Sequence, residues 1–466
     1  MRPRALYRSI AGCADRFRRL LPSARAVQRR RLRSILAANA RCEYGRRHGF
    51  AGLADAAGYA ARVPVARYED LAHDIARMAA GEPEVLVSGP LLAFEETGGT
   101  SAGPKLIPYN EALLGAFRRA LLAWLDDLAE AHPEVAAGSA YWAISPAARA
   151  PRTTSGGFPV GLGSDAAYFG EELAPLVLET LAVPPAAADC GDLASWRAAT
   201  CARLAACRDL ALVSVWSPTF LLELAAHVAL DPAVISCWDQ ASARPYAEQL
   251  LRRLPLSCVQ GKGLFATEGV VSIPLEGLAW PVLAVDSGFF EFLDDAGRAH
   301  EAGDLEVGAE YEVLMTTGAG LYRYAIGDRV RVHGFAGEAP LLEFTGRSAA
   351  VDLCGEKLTE AFVNRALAPL GLKFALLAPG AGARAGYALI VDAKEVRVEH
   401  AVDIAQRADS ALAANPQYAL ARGLGQLAPL ELARRERPLE AWIGERLRRG
   451  QRLGDIKPPS LTHEPF

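Results

Sequence analysis

Thr97-Gly98-Gly99-Thr100-Ser101-Ala102-Gly103-Pro104-Lys105 packs three glycines, four small residues and a single lysine into nine positions. Such a stretch exposes backbone N–H groups and hydroxyls without bulky side chains. A polyphosphate needs that: close backbone approach, short donors and one cation. A plain surface turn has a similar composition, so the loop needs partners elsewhere. A Walker loop requires Lys and then a hydroxyl residue directly after the second glycine. Here Pro104 intervenes and Leu106 stands where the magnesium-binding hydroxyl belongs, which removes that reading.

Around the loop, the chain of 466 residues is 51% hydrophobic and 22% charged, as expected for a soluble globular protein of two or three domains. No apolar run is long and clean enough for a membrane span. The net charge of −4 hides a basic start: residues 1–50 hold fourteen Arg against Asp15 and Glu43. An Arg-coated helical face is the favoured reading over a nucleic-acid or membrane surface. The eight cysteines show no zinc-like spacing and read as reduced thiols of a cytoplasmic protein. Only six Lys stand against forty-four Arg. Lys105, Lys262, Lys357 and Lys457 therefore mark places where a compact ammonium is wanted rather than a guanidinium fork.

Periodicity predicts two helices in residues 1–50, a helix over 68–80, a strand over 84–88 before the loop, and a helix over 111–131 capped by Asn110. That arrangement sets the loop between an extended segment and a helix N-terminus, where the dipole favours anions. Strands over 139–144 and 210–215, the latter running into a helix at Trp216-Ser217-Pro218, give an α/β signature. Short alternating strands over about 280–345, including separate ones at 321–324 and 329–333, predict a small antiparallel sheet or barrel. Residues 430–447 read as helix broken at Pro438.

Over its nine residues the loop resembles the hydroxyl-rich, Lys-ended phosphate loop of adenylate-forming enzymes, with Ala102 replacing a usual glycine. Three further elements follow in that superfamily's order. They are Ala266-Thr267-Glu268, then Tyr322-Arg323-Tyr324-Ala325-Ile326-Gly327-Asp328, then Gly346-Arg347 with Gly355-Glu356-Lys357. Several details narrow this: Tyr44-Gly45-Arg46, Val63-Pro64-Val65, Tyr68-Glu69-Asp70 and the tail Gly454-Asp455-Ile456-Lys457-Pro458-Pro459. With these the chain resembles the shorter, bacterial form of the auxin-responsive acyl-acid amido synthetases, from about residue 30 to the end.

The resemblance implies a large N-terminal ATP- and acid-binding domain over 1–346 and a small mobile α+β domain over 347–466. It implies ATP and Mg²⁺, with activation of a small carboxylic acid as acyl-adenylate and transfer to an amine or amino acid. Transfer to a thiol, or an inactive nucleotide-binding paralogue, are the alternatives. No nucleic-acid or membrane partner is expected, and the oligomeric state is left open. Thr97, Gly99, Thr100, Ser101, Lys105, Ala266, Thr267, Glu268, Tyr324, Asp328 and Arg347 are the implied ATP site. Within it Thr100, Ser101 and Lys105 hold the β- and γ-phosphates, and Glu268 carries Mg²⁺. Thr267 meets the α-phosphate or adenine, and Asp328 the ribose hydroxyls. Arg347 meets the ribose or α-phosphate, and Lys457 swings in to the α-phosphate. The implied catalytic set is Lys457, Arg347 and Lys105. Position after strands suggests Ser145, Trp216 and Ser217 for the acyl pocket.

Overall fold

The computed structural model describes residues 4–53, 55–97, 105–142, 152–162, 164–190, 192–380, 382 and 384–466. Gly99, Thr100, Ser101, Ala102 and Ser145 lie outside the described residues.

The basic N-terminal segment forms four short helices rather than two: Ala5–Ile10, Cys13–Arg18, Ala24–Ala38 and Glu43–Arg47. Gly12, in the left-handed region at φ +79°, breaks the first pair. The arginines meet acids of the later chain: Arg4 with Asp209, Arg18 with Asp127, Arg25 with Asp304 and Arg29 with Glu301. These four of the fourteen arginines thus strap the basic start onto the acidic remainder.

Ala93–Thr97 pairs antiparallel with Lys105–Tyr109, Thr97 opposite Lys105. The phosphate-type loop therefore joins two strands, and the helix Glu111–Ala131 begins only after the second. This corrects the expected placement at a helix N-terminus. It also corrects the strand expected at 84–88. Val85, Leu86 and Val87 are buried, but Glu84 sits at φ +55°. The carbonyls of Glu84 and Val85 accept from the amides of Glu43 and Tyr44 instead of joining a ladder. Asn110 caps the long helix through Leu113 N and donates its amide to Gly318 O, 2.9 Å away. One side chain thus fixes both the helix start and the loop before Tyr322.

Behind the hairpin lies a four-stranded parallel sheet ordered Ser139–Trp142, Leu210–Ser214, Val234–Cys237, Cys258–Gly261. A seven-stranded antiparallel sheet runs from Ser272–Ile273 to Ala299–Glu301 in space. Its centre is Glu310–Thr316, Tyr324–Ala336 and Ala339–Arg347. The strand expected at 321–324 is corrected, since residues 321–323 lie outside the ladder and the strand begins only at Tyr324, and the one expected at 329–333 is part of that longer strand. Tyr324–Ala336 is continuous, with a register shift against Glu310–Thr316 absorbing Gly327 and one against Ala339–Arg347 absorbing Gly334 without ending the strand.

After Arg347 the chain builds a three-stranded sheet, Ala375–Pro379, Tyr387–Asp392 and Glu431–Arg435. The helix expected from 430 is corrected here: Glu431–Arg435 is an edge strand parallel to Tyr387–Asp392, and the helix is Pro438–Arg448. Leu376, Ala378, Ile390, Trp442 and Ile456 share one buried cluster with Val213, Phe220, Leu221 and Ile235 of the parallel-sheet region. This part of the chain is thus docked through apolar side chains beside the carboxyl ends of those strands. The tail completes the sheet: Leu377 N donates to Ser460 O, and Thr462 N to Leu377 O.

Candidate active site

Asp328 and Arg347 are cross-strand partners on Tyr324–Ala336 and Ala339–Arg347. Arg347 Nε lies 3.3 Å from Asp328 Oδ1. The aspartate is buried and the guanidinium is largely open to the cleft. Burial pushes the Asp328 carboxyl up, and Arg347 and Lys457 pull it back. Arg347 is held above its ordinary value, by Asp328 first and then by Glu268 and Glu360 against the desolvation of its own charge. Asp328 Oδ1 has no hydrogen-bond partner among the described residues. A buried carboxylate oxygen without a donor is costly, and a hydroxyl from a bound molecule would satisfy it.

Glu268 sits in the two-residue turn between Phe265–Ala266 and Gly269–Val270. Tyr109 OH donates to Thr267 O at 2.6 Å, pinning this turn to the strand that starts at Lys105. Ala266 therefore serves as the paired base of the turn, with Gly269 its partner. The Glu268 carboxyl is buried and pushed up to about 7, by desolvation first; nearby Asp328 adds to the rise, and Arg347 and Lys105 oppose it. Tyr324 is buried against the same group, and its own hydroxyl is raised by burial and then by Glu268.

Lys105 Nζ stands 3.4 Å from Glu69 Oε1 and 5.1 Å from the Tyr68 ring centroid. Tyr68 OH accepts from Leu106 N at 2.9 Å. The Tyr68-Glu69-Asp70 run is thus the seat of the lysine, a role the sequence did not specify. Thr97 ends the opposite strand.

Lys457 reaches the same cleft from the tail. Its Nζ lies 4.2 Å above the Phe344 ring centroid and 6.0 Å from that of Trp238. Burial lowers its ammonium, and Glu360 and Asp328 oppose the loss. Ser460 N donates to Glu360 Oε1 at 3.2 Å, so the helix starting at Glu360 both anchors the tail and faces the lysine. Glu360 was not foreseen.

Of the pocket residues, Trp216 is half-buried, 6.0 Å centroid to centroid from both Trp238 and Phe265. Ser217 is 1% exposed, and its hydroxyl bonds Thr219 Oγ1 at 2.7 Å at the helix start.

Arg323, next to Tyr324, is structural. It sits at φ +45°, pairs with Glu291 at 2.9 Å and donates to Ala60 O and Val63 O, both at 2.9 Å. Ala325 N donates to Ala66 O, and Ala66 N to Arg323 O. The Val63-Pro64-Val65 segment is thereby bound along the strand that carries Asp328. Tyr322 OH donates to Leu86 O, and its ring stacks on Tyr44 at 4.9 Å.

Comparison with known proteins gives the family and the fold. Residues 13–229 match the model described as GH3 family N-terminal domain, and residues 281–347 the GH3 family central domain, together more than half of the chain. The chain is 26% identical over 430 residues to "Probable indole-3-acetic acid-amido synthetase GH3.2" of Oryza sativa subsp. japonica, covering 73% of this chain and 69% of that one. It is 29% identical over 398 residues to "Putative indole-3-acetic acid-amido synthetase GH3.10" of the same plant, covering 73% and 82%. Its fold is similar to that of "AtGH3.15 acyl acid amido synthetase in complex with 2,4-DB", with TM-score 0.82, 19% identity and coverage of 97% and 93%. It is more distantly similar to a 2-hydroxyisobutyryl-CoA ligase in the postadenylation state, with TM-score 0.56, 15% identity and coverage of 91% and 92%. The fold is that of the adenylate-forming ligases, and the chain belongs to the GH3 family of acyl acid amido synthetases.

Proposed function

We propose that the chain activates a carboxylic acid with ATP and passes the acyl group to an amine, an amino acid in the favoured case. The observation that carries this is the convergence of Lys457, Arg347 and Asp328 on one cleft, with a buried Asp328 oxygen lacking a donor. In the first step a carboxylate oxygen attacks the α-phosphorus and pyrophosphate leaves, giving an acyl-adenylate. In the second, the amine nitrogen attacks the acyl carbon, AMP leaves and the nitrogen loses a proton.

The first step brings two anions together, so the site must supply positive charge that is already in place. Lys457 and Arg347 do so at the α-phosphate and ribose. Lys105, with Thr97, Gly99, Thr100 and Ser101, holds the β- and γ-phosphates. Asp328 accepts from the ribose hydroxyls, and Tyr324, Ala266 and Thr267 shape the adenine side. Mg²⁺ fits Glu268: a buried carboxyl raised to about 7 is a hard oxygen donor that a divalent cation would draw into its ionised form. When bound, the metal neutralises phosphate charge.

The two steps need different surroundings for the acyl carbon. We assign the switch to residues 347–466, moving as a small domain about a hinge at 344–349 against the ATP- and acid-binding domain of 1–346. In the arrangement described, Lys457 is half-buried over the Phe344 ring while Lys357 is exposed, which suits the adenylation pose. Within the family we place the chain with the compact bacterial form that its motifs resemble, working in the cytoplasm.

The test is product analysis of the purified protein with ATP, Mg²⁺, a panel of carboxylic acids and hydroxylamine. AMP, pyrophosphate and a hydroxamate are expected. ADP and phosphate would contradict adenylation. Thioester formation with coenzyme A in preference to amides would move the acceptor from amine to thiol.

A further inference from the structure

Lys262 follows directly on the last strand of the parallel sheet, Cys258–Gly261. It is 8% exposed. Its Nζ lies 4.8 Å from the Trp216 ring centroid and 5.3 Å from that of Trp124, and donates to Ser214 Oγ at 2.7 Å. Among the described residues no carboxylate stands within ion-pair distance of it. Two indole faces and one neutral hydroxyl are poor compensation for a buried ammonium, which has three donors to place. Burial accordingly lowers it to about 8. The titratable groups that face it are Cys237, whose thiol burial keeps protonated, and Asp165, which also faces Arg452.

The position is a place where ligands bind. In open α/β sheets they sit outside the carboxyl ends of the strands. Trp142, Ser214, Cys237 and Gly261 are those ends here. Ser236, beside Ser214 in register, carries a buried hydroxyl with no hydrogen-bond partner among the described residues. Trp216 joins this corner to the nucleotide cleft through Trp238, which Lys457 approaches. Lys262 precedes Thr267 by five residues, so the two Cα atoms are at most about 17 Å apart.

We propose that Lys262 closes the inner end of the acyl pocket and binds a second anionic group of the acid, such as a distal carboxylate. The proposal rests on the adenylation reading above. The carboxyl to be activated faces Lys457 and Arg347, the apolar body of the acid lies against Trp216, and the distal anion supplies the missing acceptor to Lys262. The lysine is then a specificity-determining residue that prefers dianionic acids over monoanionic ones of equal size.

The experiment uses the full chain and size-matched pairs: 4-nitrobenzoate with benzene-1,4-dicarboxylate, and 4-nitrophenylacetate with 4-carboxyphenylacetate. ATP–pyrophosphate exchange gives kcat/KM for each, and calorimetry gives Kd. The wild-type protein should favour the dianion at least tenfold. Lys262→Met should lower that ratio at least tenfold, and Lys262→Arg, which keeps the cation, should lower it less; melting curves check that both fold. An unchanged ratio in Lys262→Met overturns the proposal. So does a loss confined to the KM of the amino acid acceptor, which would assign the cation to the acceptor carboxylate. Absence of exchange with every acid removes the adenylation reading, and the Kd ratios then decide Lys262 on their own, equal values overturning its role.

Discussion

Arg347 faces Asp328 across neighbouring antiparallel strands, and its Nε stops 3.3 Å from an Oδ1 that no hydrogen bond satisfies. The guanidinium supplies charge without completing the carboxylate. That leaves the aspartate set to recognise hydroxyls and the arginine free to turn toward phosphate.

The first prediction concerns those hydroxyls. Asp328→Asn should lower kcat/KM for ATP on the order of 100-fold, because a buried site built to accept from hydroxyls loses discrimination when its acceptor is weakened. Comparing ATP with its 2′- and 3′-deoxy analogues checks this. The wild-type protein should reject the analogues and Asp328→Asn should barely distinguish them. Equal discrimination by both would place the ribose elsewhere.

Glu268 gives a pH prediction. Its carboxyl is raised to about 7 in the fold, against 4.5 for an ordinary glutamate. Between those values the folded state binds more protons than the unfolded chain, so this group's contribution to stability falls as pH rises through that window. Glu268→Gln removes the penalty. Without nucleotide or metal it should be more stable than wild type at pH 8, by up to about 3 kcal/mol, with the difference shrinking toward pH 5. Denaturant unfolding at the two pH values reads this, and a difference independent of pH would contradict it.

Arg323 should matter for folding and not for chemistry. Its pair with Glu291 is buried on both sides, with side chains 8% and 7% exposed. Arg323→Met strands the Glu291 carboxylate and should cost about 3–5 kcal/mol in denaturant unfolding. The double variant Arg323→Met with Glu291→Met should recover much of that. A stable single variant with lost ATP binding would instead make Arg323 a nucleotide ligand.

Much of the site was legible because its chemistry dictates short local patterns. The Thr267-Glu268 turn and the Gly327-Asp328 segment stand out within a few residues of sequence, and the structure brings Glu268, Asp328, Arg347 and Lys105 near one another. What was missed depends on distant partners. Nothing near Arg323 announces that Glu291 lies beside it, and Glu360 gains its place only through the tail at Ser460. The partner of the Ser217 hydroxyl, Thr219 two residues on, is likewise seen only in the fold. The fold misreadings have similar causes. Glu431–Arg435 is charge-rich because it is an edge strand, paired only with Tyr387–Asp392, so it lacks strand-like alternation. Gly327 and Gly334 look like strand ends in the sequence, yet the sheet takes them up as irregularities of register against the neighbouring strands on either side.

The central claim is that Lys457 serves the first step at the α-phosphate. The direct measurement times the two half-reactions of Lys457→Ala separately: pyrophosphate release from ATP and acid, and hydroxamate formation from preformed acyl-adenylate. Adenylation should slow by a factor on the order of 100 to 1,000, the scale of one lost preorganised charge, while transfer slows far less. Equal loss in both steps, or loss in transfer alone, would contradict the assignment.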